Sequence, residues 1–214
     1  MRRSNFYYLG LTVLALSMAA SATDFTFNTD PFAGTTVLNV PGRQIVGGEN
    51  FISFNIGTDV FQLSSAAFGV SGPVHFVNST AQGIPAGGVN VVVLETFDND
   101  NNPLTPFGAG QAADLIADQI TTPGAGFFIY FNQGLDLPRL VFSTDLSSNT
   151  ADLKILARML NLNGANGRNA LPGFEADNFN ITESSQVPEP ASLMLMSGLL
   201  LGTGRMLQRK LNRQ

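Results

Sequence analysis

The chain has 214 residues, no cysteine, a single histidine and a formal net charge of −5. That length holds one domain of ordinary size, and the missing thiols exclude thiolate metal sites, thiol nucleophiles and disulfide chemistry. An apolar content of 44%, with 17 Phe and no Trp, belongs to a globular chain and not to a disordered one.

Three features agree at the N-terminus. Met1-Arg2-Arg3 is basic, residues 6–16 are mostly apolar, and Ala20-Ser21-Ala22 places small side chains at minus three and minus one of a cleavage point. Together they predict a secretory signal peptide over residues 1–22, cut after Ala22. An N-terminal core helix would explain only the apolar stretch. The hydrophobic residue that should closely follow a twin-arginine pair is displaced to Phe6, so general secretion machinery is the expected route.

Once the two ends are set aside, the charge becomes informative. Residues 23–187 carry five basic side chains, Arg43, Arg139, Lys154, Arg158 and Arg168, against fifteen acids, a net charge of −10. Such a body repels a phosphate backbone, because nucleic-acid binding needs Lys and Arg to displace condensed counterions. No nucleic-acid partner is expected.

Residues 23–185 read as short strands punctuated by Gly, Pro, Asn and Asp. The candidates are DFTFN at Asp24, TVLNV at Thr36, NFISFNI at Asn50, VHFV at Val74, VNVVVLET at Val89, GFFIYFN at Gly126, RLVFSTD at Arg139 and DNFNIT at Asp177. Their spacing and their β-branched and aromatic content predict a mainly β body, an antiparallel β-sandwich of jelly-roll type. No βαβ alternation is visible, which argues against a parallel sheet.

Two segments carry helical periodicity. QAADLIADQI from Gln111 sets Ala112, Leu115, Ile116 and Gln119 near one face and predicts a short helix or turn. TADLKILARML, within residues 150–162, fits both periods. Leu153, Leu156, Ala157 and Leu160 match a helix, whereas Leu153, Ile155, Ala157 and Met159 match a strand. Its place after RLVFSTD and the polar turn LSSNT favours the second arm of a hairpin.

Signals for chemistry are few. His75, in GPVHFVNS, would have to serve any Ser-His-Asp triad alone, and no G-x-S-x-G elbow accompanies it. It is assigned no role. In FDNDNNPL, the oxygens of Asp98, Asp100 and Asn102 fall at the alternate positions of a calcium loop. However, Pro103 stands where that loop needs glycine, and Ala109 stands where it needs a bidentate Glu. A polar turn accounts for the same residues. Calcium is the one cofactor considered, and otherwise none is expected. Fifteen scattered acids do not single out the carboxylate pair of a glycosidase.

At the C-terminus, Val187-Pro188-Glu189-Pro190 precedes an uncharged run over residues 190–204, followed by Arg205, Arg209, Lys210 and Arg213. As a helix the run reaches only about 20–25 Å, short of a comfortable bilayer span. Met206 and Leu207, with Arg205 snorkelling, extend a transmembrane helix over about residues 191–207, and the basic tail is residues 205–214. Leu193, Met194, Leu195, Met196, Leu199, Leu200 and Leu201 populate every face, unlike the single stripe of a packed surface helix. The basic cluster prefers the cytoplasmic side, which leaves the body outside the inner membrane. Pro188 and Pro190 bias Val187 and Glu189 to the extended geometry that a protease or transpeptidase binds.

This order of motif, apolar helix and basic end resembles the PEP-CTERM sorting signal of Gram-negative bacteria that make extracellular polysaccharide. The resemblance covers residues 186–214. It implies processing by the membrane enzyme exosortase, in parallel with other signals whose hydrophobic tails are lost. By position, Val187, Pro188, Glu189 and Pro190 would be read as the sorting motif, and Arg205, Arg209, Lys210 and Arg213 would form the basic stop. The stretch YFNQGLDLPRLVFSTDLSSNTADLKILARMLNL is also similar to a segment of other exported PEP-CTERM proteins, which implies a β-rich exported domain but no activity.

The expectation is a non-enzymatic protein of the cell surface or extracellular matrix, anchored in the inner membrane only as a precursor and associated with exopolysaccharide or biofilm. A carbohydrate- or calcium-binding module is the alternative, and a hydrolase is the third reading.

Overall fold

A computed structural model of the chain describes residues 21–35, 41–102 and 104–183. The expected signal helix, the strand at 36–40 and the sorting segment therefore fall outside the described residues, apart from the exposed Ala22 beside the cleavage point. Among the described residues no helix is long and apolar enough to cross a membrane.

Among the described residues the body is mainly β and forms two sheets. The smaller contains β1 (Asp24–Phe27), β4 (Val60–Ser64) and β10 (Phe179–Thr182), with β4 in the centre. The larger runs β2 (Ile45–Val46), β9 (Leu153–Met159), β8 (Leu137–Ser143), β7 (Gly126–Asn132), β6 (Val91–Leu94), β5 (Phe76–Ser79). A further short strand, β3 (Asn50–Ile52), also pairs with β9.

Strand direction corrects the expectation of an antiparallel jelly roll. Both pairings in the small sheet are parallel. In the large sheet β5, β6 and β7 run parallel, as do β2 and β3 with β9; among the described residues only β7–β8 and β8–β9 are antiparallel. Parallel neighbours need a crossover, and one of these carries a helix, α2 (Ala109–Ala117), between β6 and β7. A β–α–β unit is thus present where alternation had seemed absent.

The ambiguous segment at 150–162 is the expected hairpin arm, since β9 pairs antiparallel with β8. Register explains the outcome. Leu153 and Ile155 face one core and Ala157 and Met159 the other, because the bulge in the β8–β9 pairing switches faces midway; all four are buried since the sheet is covered on both sides.

The central strands alternate between two apolar cores. Val91, Val93, Phe127, Ile129 and Phe131 point toward the small sheet, where they meet Phe27, Phe61, Leu63, Phe179 and Ile181. Val92, Leu94, Phe128 and Tyr130 point the other way, under Ala109, Ala112, Ala113 and Ile116 of α2. The inner core is built largely of phenylalanine. Phe54 stacks on Phe61 at 4.2 Å between ring centroids, and Phe68, from the single turn α1 (Ser65–Phe68), meets Phe127 edge-on at 5.0 Å. The edge-on contact suits the ring quadrupoles as well as burying area. A third short helix, α3 (Gly164–Ala170), lies against β8.

Candidate functional site

The most connected polar cluster sits where β2 passes into β3 along the edge of β9. Gly47-Gly48-Glu49 makes the passage, and Gly48 has φ +89°, a left-handed conformation that L side chains rarely adopt. The turn sends Glu49 inward, leaving its side chain 6% exposed. One carboxylate oxygen accepts bonds from Arg139 Nη2 and Arg158 Nε, both at 2.5 Å. The other accepts from the Gly48 N–H at 3.1 Å.

Arg139 and Arg158 are cross-strand partners on β8 and β9, so Glu49 bridges two like charges that the sheet register forces together. Arg139 also reaches the Tyr130 hydroxyl, which accepts a bond from Asn132 Nδ2 at 2.9 Å. Burial pushes the Tyr130 phenol up. Burial also works against the Glu49 charge, but a bond from its own backbone N–H, the bonds from Arg158 and Arg139 and the positive charge of Arg139 prevail, holding its carboxyl at about 2. A carboxylate so low and so fully engaged is a fixed anion, unsuited to proton transfer near neutral pH.

A second cluster surrounds a cavity of about 400 Å³ between the β3–β4 turn and the 3₁₀ turns that precede β10. Asp59, Glu175, Asp177 and Asn178 are among its lining residues. Asp59 is 4% exposed. Its Oδ1 accepts from the Thr23 N–H at 3.0 Å and from Thr58 Oγ1, and its Oδ2 accepts from the Asn55 N–H at 2.8 Å. Buried Asn178 ties this turn to the β10 approach by donating to the carbonyls of Ile56 and Asp59 while accepting from the Glu175 N–H.

The loop considered for calcium is exposed and closes on itself. Asp98 Oδ1 accepts from the N–H groups of Asp100 and Asn101, Asp100 Oδ1 from Asn102, and Asn102 Oδ1 from Leu104. The second Asp100 oxygen takes the Thr105 hydroxyl, which holds that carboxyl below its ordinary value. These are Asx turns, in which one oxygen of Asp98, both of Asp100 and that of Asn102 accept nearby donors. Among the described residues no group of three or more His, Cys, Asp or Glu is placed to hold a metal ion.

His75 is exposed, one residue before β5, and its backbone N–H donates to Asn90 Oδ1. Of the residues singled out from sequence, Asp98, Asp100 and Asn102 are brought together as neighbours in one turn. Ala20, the sorting motif and the basic stop lie outside the described residues. Sequence reasoning missed Glu49, Arg139, Arg158 and Asp59. Their partners are up to 109 positions away, and the scarcity of cations in an acidic body was the one signal pointing toward them.

A scan against protein-family models finds no matching family, and searches against curated proteins and against solved structures find no match.

Proposed function

We propose that the chain is an exported, non-enzymatic protein of the cell surface or extracellular matrix, delivered as a membrane-tethered precursor and released by exosortase at Val187-Pro188-Glu189-Pro190. The observation that carries this reading is the ordered tail, a Pro-Glu-Pro motif, an uncharged apolar run and a basic end, paired with a signal peptide at the other terminus. The limits of the body agree with it. Among the described residues the first strand begins at Asp24, two residues after Ala22, and the last ends at Thr182, ahead of the motif. The acidic body suits an association with exopolysaccharide through polar contacts and bridging cations.

The test is a double substitution, Pro188→Ala with Glu189→Ala, in the full chain expressed in a host that carries exosortase. Export continues, the signal peptide is removed, and the C-terminal tail is retained, as intact mass reads directly. Tail removal at the wild-type rate would refute the motif assignment. A carbohydrate- or calcium-binding module is the second reading, and the cavity lined by Asp59, Glu175, Asp177 and Asn178 offers polar contacts to its carbohydrate version.

A further inference from the structure

We propose that removal of the signal peptide creates an ion pair between the new α-ammonium group of Thr23 and the buried carboxylate of Asp59, fastening β1 to β4 in the mature protein alone. The inference rests on the reading above that cleavage follows Ala22. Water adds across the Ala22–Thr23 peptide bond, leaving a carboxylate on Ala22 and an amine on Thr23 that is protonated at neutral pH.

The geometry is already in place. Thr23 N lies 3.0 Å from Asp59 Oδ1. Its carbonyl accepts the Val60 N–H at 3.0 Å, and Asp24 is in register with Val60, so the residue is held as the first rung of the β1–β4 ladder. Asp59 is held as firmly. Its own N–H donates to the Asn55 carbonyl, its second oxygen accepts the Asn55 N–H, and Asn178 Nδ2 donates to its carbonyl. The donor that would become charged therefore meets an acceptor fixed by two other segments of the chain.

Charge supplies the reason for the pairing. Asp59 is 4% exposed, yet among the described residues no Lys, Arg or His forms an ion pair with it. A buried carboxylate served only by neutral donors carries a desolvation cost that a cation would offset. The cavity beside Asp59 adds Glu175 and Asp177 to the negative side, and Thr23 itself is exposed, so solvent hydrates the remaining ammonium protons. In the precursor the same atom is a neutral amide N–H. That bond already has an ionised acceptor; after cleavage the donor is ionised too, and the hydrogen bond becomes an ion pair. The strand that benefits needs the help, since β1 is a four-residue edge strand with only Phe27 buried.

The experiment uses the full chain, exported and processed in its host, as wild type and with Gly-Ser inserted between Ala22 and Thr23. The insertion keeps the Thr23 amide but moves the α-amine two residues away. Asp59→Asn is placed in both backgrounds, intact mass establishes each N-terminus, and urea unfolding gives the equilibrium constants. Asp59→Asn raises the unfolding constant about fivefold more in the wild-type background than in the inserted one. Equal effects in the two backgrounds would overturn the pair and leave an ordinary amide bond.

Because Asp59→Asn could prevent folding, a second arm leaves Asp59 intact. Selective Nα-acetylation of the mature wild-type protein raises its unfolding constant by a similar factor, and the same treatment of the inserted form does not. An unchanged wild-type constant would overturn the proposal. A mature chain that begins elsewhere than Thr23 refutes the cleavage assignment, whereas a Thr23 start without coupling refutes the ion pair alone.

Discussion

Removing the Glu49 carboxylate leaves Arg139 and Arg158 side by side on paired strands, with the Arg139 side chain only 12% exposed. The carboxyl sits at about 2 against an ordinary 4.5, and at about 1.4 kcal/mol per tenfold the bound on its contribution is about 3 kcal/mol. The Arg158 side chain is 29% exposed, so solvent screening brings the expected value to about 2 kcal/mol. Glu49→Gln tests this with little change of shape.

The sign follows from the lowered value. The stabilisation is complete above pH 4.5 and is lost as pH falls toward 2. Urea unfolding of the exported protein at pH 7 should show the wild type about 2 kcal/mol more stable than Glu49→Gln. Between pH 4.5 and 2 the gap should close, because only the wild type has this proton to take up. A cost below about 0.5 kcal/mol at pH 7, or a gap constant down to pH 2, would refute the assignment of Glu49 as the charge that reconciles the two arginines.

Gly126→Ala tests the packing at the start of β7. A Cβ there would lie 2.6 Å from the Asn90 carbonyl oxygen and 2.5 Å from Leu146 Cδ1, so a loss of about 1–3 kcal/mol is expected in urea unfolding; an unchanged midpoint would contradict the close approach. Saturating calcium is expected to leave the melting temperature unchanged, because most side-chain oxygens of the Asp98–Asn102 turn already accept its own donors and no group of three or more His, Cys, Asp or Glu among the described residues is placed to hold a metal ion. A rise of about 5 °C or more, abolished by Asp98→Ala with Asp100→Ala, would move the function to the calcium-binding module.

Much of the body was legible locally. GFFIYFN forms β7 over the residues quoted, VNVVVLET contains β6, and QAADLIADQI contains most of α2. VFQLS was passed over although it forms β4, the centre of the small sheet, because its single buried alternation of Phe61 and Leu63 is too short to stand out. One misread signal was present in the sequence. The unbroken apolar runs VVVL and FFIYF, rather than alternating ones, mark strands covered on both faces, and all residues of β6 and β7 are buried. That pattern pointed toward a helix-covered, partly parallel sheet and away from a two-layer sandwich.

From its own residues the chain determines strand content, an acidic body without thiol chemistry, and the signal-like composition of its two ends, since each is a matter of local pattern or simple count. Tertiary structure alone decided strand direction, the pairing of one carboxylate with two arginines from distant strands, and the meeting of Thr23 with Asp59. The physical reason is common to all three. Period-two alternation is the same for a strand running either way, and a charge selects its partner only after the sheet register has brought the two together.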